Sequence, residues 1–501
     1  MKIVLIRPPK AQLENAPSVS PHPPLGLSLI AGILKSKGHD VKLIDAAAKD
    51  IIHPFQGQLK LKKKKNSKYK IVLRGLRVED IIADIPPDVE AIGISSMFTT
   101  DWISDRDLIG HLGEKFPQAF IFIGGEHATA VPEICLEQSP HLKYVVAGEG
   151  EETACELIDA VENNKPIAKI FGLIYKDDQG VIHTNPRRTR VVDIEKIPYP
   201  AWDDLDLSLY PKHFSETHMV SLPILATRGC PFQCTFCSSP AMWGTRYYMR
   251  SPESVLNEMK RNMELFHTNC FDFFDLTAII KKQWVIDFAK LVKEEGVQIN
   301  WRIPAGTRSE AIDEEVSKAL YDSGCKFIVY APESGSVELL KKINKKVKLD
   351  NMKESIFYAL KNKMVVYINV MIGLPEETFK DQLYTIRLLI QMAYMGIHDL
   401  GLSYYRFYPG SEIFNGFVKE QKIDPHHDDY IVENIINLNR FIQVNTYETK
   451  AKRYRNTAMS VLYLLIFYFT MLIFHPKLFK RIYKYGTAYR YFERMKVDLT
   501  S

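Results

Sequence analysis

A strand–helix alternation that runs twice along the chain constrains this sequence more than any other feature. In the first 160 residues, KIVLIR (Lys2–Arg7), HDVKLID (His39–Asp45), EAIGISS (Glu90–Ser96), AFIFIGG (Ala119–Gly125) and KYVVAGEG (Lys143–Gly150) read as buried strands. Between them, PLGLSLIAGILKSKG (Pro24–Gly38) and SDRDLIGHLGEKF (Ser104–Phe116) carry apolar stripes at helical spacing. Strands that are apolar on both faces and alternate with helices predict a doubly wound parallel sheet, because both faces need helical cover. From Pro223 to about Pro409 the alternation resumes in PILATRG, CFDFFDL, VQINWRIP, CKFIVYAPES, VVYINVMIGLP and LGLSYYRFYPG. Six βα units over that length predict a full or partial parallel barrel, with its site at the carboxyl ends of the strands.

A parallel sheet takes its ligands at that same edge. In the first block the edge carries Ser95 and Ser96, then Gly124, Gly125, Glu126 and His127, then Gly148, Glu149 and Gly150. Glycines there let a ligand approach the backbone, although a tight strand-to-helix turn also calls for glycine. Three such turns on one edge favour a site.

Composition narrows the class. Of 501 residues, 46% are hydrophobic and 25% charged, as in a folded globular protein. A net charge of +5 over that length points to no nucleic-acid partner. MKIVLIRPPK lacks a secretory h-region, and seven cysteines are few and odd in number, so the expected setting is cytoplasmic and reducing. The lysine run LKLKKKKNSKYK (Leu59–Lys70) reads as a solvated insertion or as a contact with an anionic membrane.

Three of the seven cysteines, Cys230, Cys234 and Cys237, fall in ATRGCPFQCTFCSSP. Structural zinc sites take CxxC pairs, two per ion; here the spacing is C-x3-C-x2-C, with no fourth cysteine or histidine nearby. Three thiolates on one loop suit a four-iron cluster with one iron left open. Cys135, Cys155, Cys270 and Cys325 stand singly in apolar contexts and read as core residues.

CxxxCxΦC, with Phe236 before the last cysteine, resembles the signature of the radical S-adenosylmethionine (SAM) superfamily. The resemblance implies a [4Fe–4S] cluster on Cys230, Cys234 and Cys237, and SAM bound at the open iron. APESGS (Ala331–Ser336) is similar to the family's strand-end motif, with Glu333 and Ser334 as SAM contacts; alone, Glu333 also reads as a helix cap. VMIGLPEET (Val370–Thr378), with Gly373, resembles the motif near the adenine. FFDLT (Phe273–Thr277) keeps only Asp275 of a related strand-end pattern. PPLGLSLIAGILKSKGHDVKLID, with Leu25, together with GGEHATAVPE and VVAGEGEET, resembles the cobalamin-binding domain of one large subgroup. That adds Ser95, Ser96, Gly124, Gly125, Glu126, His127, Gly148, Glu149 and Gly150 as cobalamin-binding residues. D-x-H-x-x-G, which supplies a lower axial histidine in many cobalamin proteins, is absent; His22 and His127 lie in related loops without that spacing.

The resemblance covers roughly residues 1 to 435 and implies an α/β architecture. A doubly wound, Rossmann-like cobalamin-binding domain (1–160) is followed by a linker with a small hairpin (161–215). A partial (β/α) radical SAM barrel (216–435) and a helical C-terminal region (436–501) complete it. The resembling subgroup includes hopanoid methylases, archaeal lipid ring synthases and the anaerobic cyclase of bacteriochlorophyll synthesis. It implies methyl transfer or ring formation on a lipid or pigment, with an electron donor such as flavodoxin or ferredoxin. Two other readings are a cobalamin sensor with an inactive barrel, which has no need of an open cluster, and a methylthiotransferase. The latter usually brings a second cysteine cluster and a basic RNA-binding barrel, and neither is visible.

AMSVLYLLIFYFTMLIF (Ala458–Phe474) is a 17-residue run without a charge, flanked by basic residues on both sides. It is short for a span of about 20 residues and reads as a monotopic helix at the inner membrane face, or as a core helix. Trp243, Tyr247, Trp301 and the YYRFYPGS stretch (Tyr404–Ser411) read as core or as cavity lining.

Overall fold

The computed structural model describes residues 1–14, 16, 21–62, 69–190, 193–210, 219–438 and 448–485. They form two compact units. The first comprises residues 1–209, 235–244 and 406–438, and the second residues 210–234, 245–405 and 439–501. The chain therefore passes from the second to the first between Cys234 and Thr235, inside the cysteine loop.

The first unit holds strands β1 (Lys2–Arg7), β2 (Lys10–Leu13), β3 (Asp40–Asp45), β4 (Ile52–Pro54), β5 (Ile71–Arg74), β6 (Ala91–Ser95), β7 (Phe120–Gly124), β8 (Leu142–Val146), β9 (Leu173–Lys176) and β10 (Ile182–Thr184). Seven of them form one sheet in the order β10-β9-β8-β7-β6-β1-β3, parallel from β3 to β8. Ile3 and Leu5 join Leu27, Ala31, Leu34, Leu157 and Ile158 of helices Leu25–Ser36 and Gly150–Glu162 in one core. By strand alternation, Val4 and Ile6, both buried, face the other side.

Two stretches expected to link domains belong to this unit. The hairpin β9–β10 extends the sheet, with β9 antiparallel to β8. The segment IPYPAWDD (197–204) lies on helix Leu25–Ser36: Ala201 N–H donates to the Ser28 carbonyl at 2.9 Å, and Trp202 is fully buried. A three-stranded antiparallel sheet, β2-β5-β4, was not anticipated. Of the lysine run, residues 63–68 lie outside the described residues. Its start is docked, since the Lys60 and Lys62 N–H groups donate to Asp428 (2.6 Å) and Asp429 (2.8 Å).

The second unit holds β11 (Ser221–Ile224), β12 (Thr227–Arg228), β13 (Tyr248–Met249), β14 (Cys270–Phe273), β15 (Asn300–Thr307), β16 (Cys325–Glu333), β17 (Val365–Ile372) and β18 (Asp399–Tyr404). Six of them build an all-parallel sheet, β11-β14-β15-β16-β17-β18, a partial barrel as expected. The apolar C-terminal run becomes helix Lys450–Phe474, which packs along helix Phe379–Met395.

Gly32 tests the docking of residues 197–204. In an exposed helix Gly32→Ala would stabilise by about 1 kcal/mol. Here the added Cβ would meet the Tyr199 carbonyl oxygen at 2.4 Å. We expect Gly32→Ala to lower the melting midpoint and to open residues 197–204 to protease; a more stable, equally protected variant would contradict this packing.

Candidate active site

The cysteine loop begins where β11 ends. Asp275, fully buried just past β14, accepts from the Ala226 N–H (3.4 Å) and from the Thr227 hydroxyl, which fixes the entry to the loop. Burial pushes its carboxyl up to about 6. Further along, Arg308 stacks on Phe232 (3.8 Å to the ring centre), and Asn344 Nδ2 donates to the Gln233 carbonyl (2.8 Å). Phe236 is half-buried.

Cys230, Cys234 and Cys237 stand outside any disulfide, each partly exposed. Thr277 Oγ1 lies 3.5 Å from Cys230 Sγ, and Ser239 N–H donates to Cys237 Sγ at 3.4 Å. Such donors stabilise thiolates. Among the described residues no three His, Cys, Asp or Glu side chains gather around one point as a single ion requires. Three thiols on one short loop are the donor set of a four-iron cluster, which takes one cysteine per iron and so leaves one iron open. Cys135, Cys270 and Cys325 are buried, and burial raises the thiol pKa of Cys135 and Cys325.

Glu333 closes β16 with φ +64°, a left-handed conformation that costs a non-glycine residue about 1–3 kcal/mol. Its carboxylate meets Lys345 Nζ at 2.9 Å. Burial opposes the Lys345 charge, but Glu333 and Cys234 together hold its pKa above the usual value. Glu333 is no helix cap: Ser336 caps Val337–Lys342 instead. Ser334 is fully buried, its hydroxyl 3.1 Å from Thr385 Oγ1 and accepting from the Ser336 N–H, so it organises the turn. Trp301 is core, its ring 4.6 Å from that of Phe273.

In the first unit the expected edge divides. Ser95, Gly124, Gly125 and Gly148 lie at the carboxyl ends of β6, β7 and β8, and Leu25 opens its helix half-exposed. Gly125 is required: at φ +122° a Cβ would meet the Ser96 carbonyl oxygen at 2.5 Å. Thr129 Oγ1 donates to the Gly125 carbonyl (2.7 Å) and accepts from the Gly148 N–H (2.9 Å), tying two of the turns together. Glu126 accepts from Ser238, Glu149 pairs with Arg190 at 3.3 Å, and Gly150 starts its helix beside Ile30. Ser96 and His127 turn inward. Ser96 donates to Asp105 (2.7 Å), while His127 lies 3.2 Å from Thr99 Oγ1 and against Trp102, its pKa pushed by burial down to about 3.

Sequence reasoning missed Thr277, Arg308 and Asn344, which contact the loop from 47 to 111 positions away, and Lys345, which faces Cys234 electrostatically. It also missed Glu377, which accepts from the Gly373 N–H (2.7 Å) and from Gln382 Nε2 (3.2 Å). Burial raises Glu377 from the usual 4.5 to about 7, worth about 3 kcal/mol between its protonation states. Unfolded Glu377 ionises from pH 4.5 while the folded form stays protonated, so stability falls as pH rises to about 7. Glu377→Gln, which retains an acceptor for Gly373, should flatten this decline. We expect the variant to match the parent at pH 4.5 and to melt higher at pH 8; equal midpoints at both would refute the assignment.

Comparison with known proteins agrees with this geometry. Residues 15–158 match the B12 binding domain family and residues 224–389 the radical SAM superfamily. An uncharacterized methyltransferase of Pyrococcus horikoshii is 29% identical over 420 residues, 83% of this chain and 82% of the relative. Cytidylyl-2-hydroxyethylphosphonate methyltransferase of Streptomyces wedmorensis is 26% identical, across 81% of this chain and 80% of its own. Enzymes of pigment and lipid biosynthesis are among further relatives. The radical SAM methyltransferase TsrM from Kitasatospora setae shares the fold, with TM-score 0.62 and 17% identity over 83% of this chain and 76% of that one. The radical SAM domain carries a [4Fe–4S] cluster and SAM as cofactors, and the B12-binding domain carries cobalamin. This chain is a radical SAM enzyme with a B12-binding domain.

Proposed function

We propose that the enzyme transfers a methyl group to unactivated carbon of an apolar, lipid-like or pigment-like substrate. The observation that carries the catalytic half is the cysteine loop: three half-exposed thiols outside any disulfide, following a strand of a parallel sheet, with the loop's fold fixed by Asp275, Arg308 and Asn344. Cys230, Cys234 and Cys237 hold the cluster. When bound, the cluster and SAM supply a carbon radical, and cobalamin supplies a methyl carrier.

The other residues position and shield. Glu333, oriented by Lys345, and the Gly373 turn, braced by Glu377, line the SAM side, and Phe236 stands beside Cys237 in the cysteine loop. Ser334 and Asp275 act through the backbone they hold. Leu25, Ser95, Gly124, Gly125, Glu126, Gly148, Glu149 and Gly150 form the cobalamin edge, with Ser96 and His127 supporting it from inside. Relatives named as methyltransferases favour methyl transfer over ring formation. An electron donor of the flavodoxin or ferredoxin class reduces the cluster.

Substrate class follows from helix Lys450–Phe474. Asn456, Met459, Ser460, Tyr463, Phe467, Thr470 and Met471 are buried, while Val461, Leu462, Leu465, Phe469, Leu472, Ile473 and Phe474 are exposed. Tyr394 joins the outer stripe, its ring 4.9 Å from that of Phe474, and Lys477 and Lys480 stand exposed just beyond. An apolar stripe bordered by cations suits the anionic inner face of a membrane, where an apolar substrate resides.

Two measurements test these readings. Anaerobically reconstituted protein should carry about four irons per chain, as a cubane cluster requires, and Cys234→Ala should lose them; one zinc and no iron would overturn the assignment. The intact chain should sediment with anionic vesicles, and Leu465→Glu with Phe469→Glu should abolish this without changing the melting midpoint. Unchanged sedimentation of that variant would remove the membrane face.

A further inference from the structure

The small sheet β2-β5-β4 carries an arrangement that nothing so far explains. β2 follows β1 after Pro8 and Pro9, so it stands at the carboxyl end of the parallel sheet, the edge where such folds take ligands. Lys10 of β2 and Arg74 of β5 are direct partners in the antiparallel register. Like charges placed opposite each other destabilise a strand pair. Gln12, two residues along, shares their face.

All three side chains have donors with no acceptor among the described residues. Arg74 is 7% exposed and Gln12 9%, and both Arg74 Nη1 and Gln12 Nε2 are buried without a partner. Half-buried Lys10 makes no side-chain hydrogen bond or ion pair among the described residues; burial and then Arg7 lower its pKa, Asp101 and Asp45 partly oppose this, and Arg74 adds a smaller lowering. The surrounding acids offset the charge only in part, and none accepts from Lys10, Arg74 Nη1 or Gln12 Nε2. Asp45 is held by Arg7 through both oxygens, whose third nitrogen donates to the His22 carbonyl. Asp50 pairs with Arg74 Nη2 but is largely solvent-exposed. Asp101 accepts from the Ala11 N–H at 3.1 Å, and burial raises its carboxyl to about 6.

A buried guanidinium nitrogen and a buried amide donor without acceptors, beside a half-buried lysine, are costly unless a ligand supplies the acceptors. We propose that Lys10, Gln12 and Arg74 form an oxyanion site for a phosphate-type group. Arginine offers planar paired donors, lysine a point charge and glutamine a neutral donor, which together suit a tetrahedral oxyanion. The group comes either from the nucleotide tail of cobalamin, an arm that rests on the cobalamin reading above, or from an anionic head on the substrate.

The test uses the full chain with inorganic phosphate as probe, at ionic strength held constant with chloride. Phosphate should raise the melting midpoint saturably. Lys10→Met should weaken phosphate binding at least about tenfold, the loss of one charge-assisted hydrogen bond. Because it also removes the opposed charge, its ligand-free midpoint should equal or exceed that of the parent. No saturable phosphate effect in the parent, or undiminished affinity in Lys10→Met and in Arg74→Met, would overturn the site. Comparing hydroxocobalamin with cobinamide, which lacks the nucleotide tail, separates the sources. If the tail phosphate is the occupant, Lys10→Met weakens cobalamin alone and phosphate competes with it. If the substrate supplies the group, both corrinoids bind the variant normally and phosphate still binds the cobalamin-loaded chain. A chain that takes up no corrinoid would overturn the cobalamin reading and leave the phosphate titration to decide the oxyanion site.

Discussion

Parallel strand pairing is the constraint on which the rest of this protein depends. Each parallel connection must return across the sheet through a helix, so every loop after a strand emerges on the same edge. In the second unit that rule brings together the ends of β11, β14, β16 and β17. Residues as distant in sequence as Ala226, Asp275, Glu333 and Gly373 thereby share one edge. The chemistry is concentrated there because the topology leaves no other place where so many loops converge.

This rule also explains which parts of the fold were legible. A strand covered on both faces is a continuous apolar run, and KIVLIR or CKFIVY can hardly be anything else. The sheet β2-β5-β4 was not legible, because its strands are three or four residues long and β2 pairs antiparallel with β5 across a gap of about sixty positions. The segment 197–204 read as a linker for its prolines and aromatics; it docks because Gly32 leaves room for the Tyr199 carbonyl, and no periodicity encodes that.

The site divides in the same way. Three cysteines in eight positions announce shared ligation, since nothing in a core requires that spacing. Polarity alone does not say which way a side chain turns: Ser95 and Ser96 are adjacent, yet Ser96 faces the buried Asp105. Lys345 was invisible because it lies in KKINKK, a run that reads as solvated surface. Only the left-handed turn at Glu333 brings a carboxylate to it.

The C-terminal helix shows how its hydrogen bonds bear on readings that composition leaves open. With 25 residues and an 18-residue window of mean hydropathy 2.1, Lys450–Phe474 is long and apolar enough to span a bilayer. Its inner stripe argues against spanning. Ser460 bonds to Tyr404 (2.8 Å), Asn456 accepts from Gln382 (2.7 Å), Tyr463 donates to the Gln382 carbonyl (3.2 Å) and Tyr468 to Asp399 (2.6 Å). Inserting the helix would break these four bonds, at about 1 kcal/mol each, and strand buried partners such as Gln382 and Asp399 at a further cost. Lying flat keeps all four and still removes the outer leucines and phenylalanines from water, each worth about 1.5–3 kcal/mol when fully buried. The proposed membrane face is therefore one that the helix can present without giving up its bonds to its own protein.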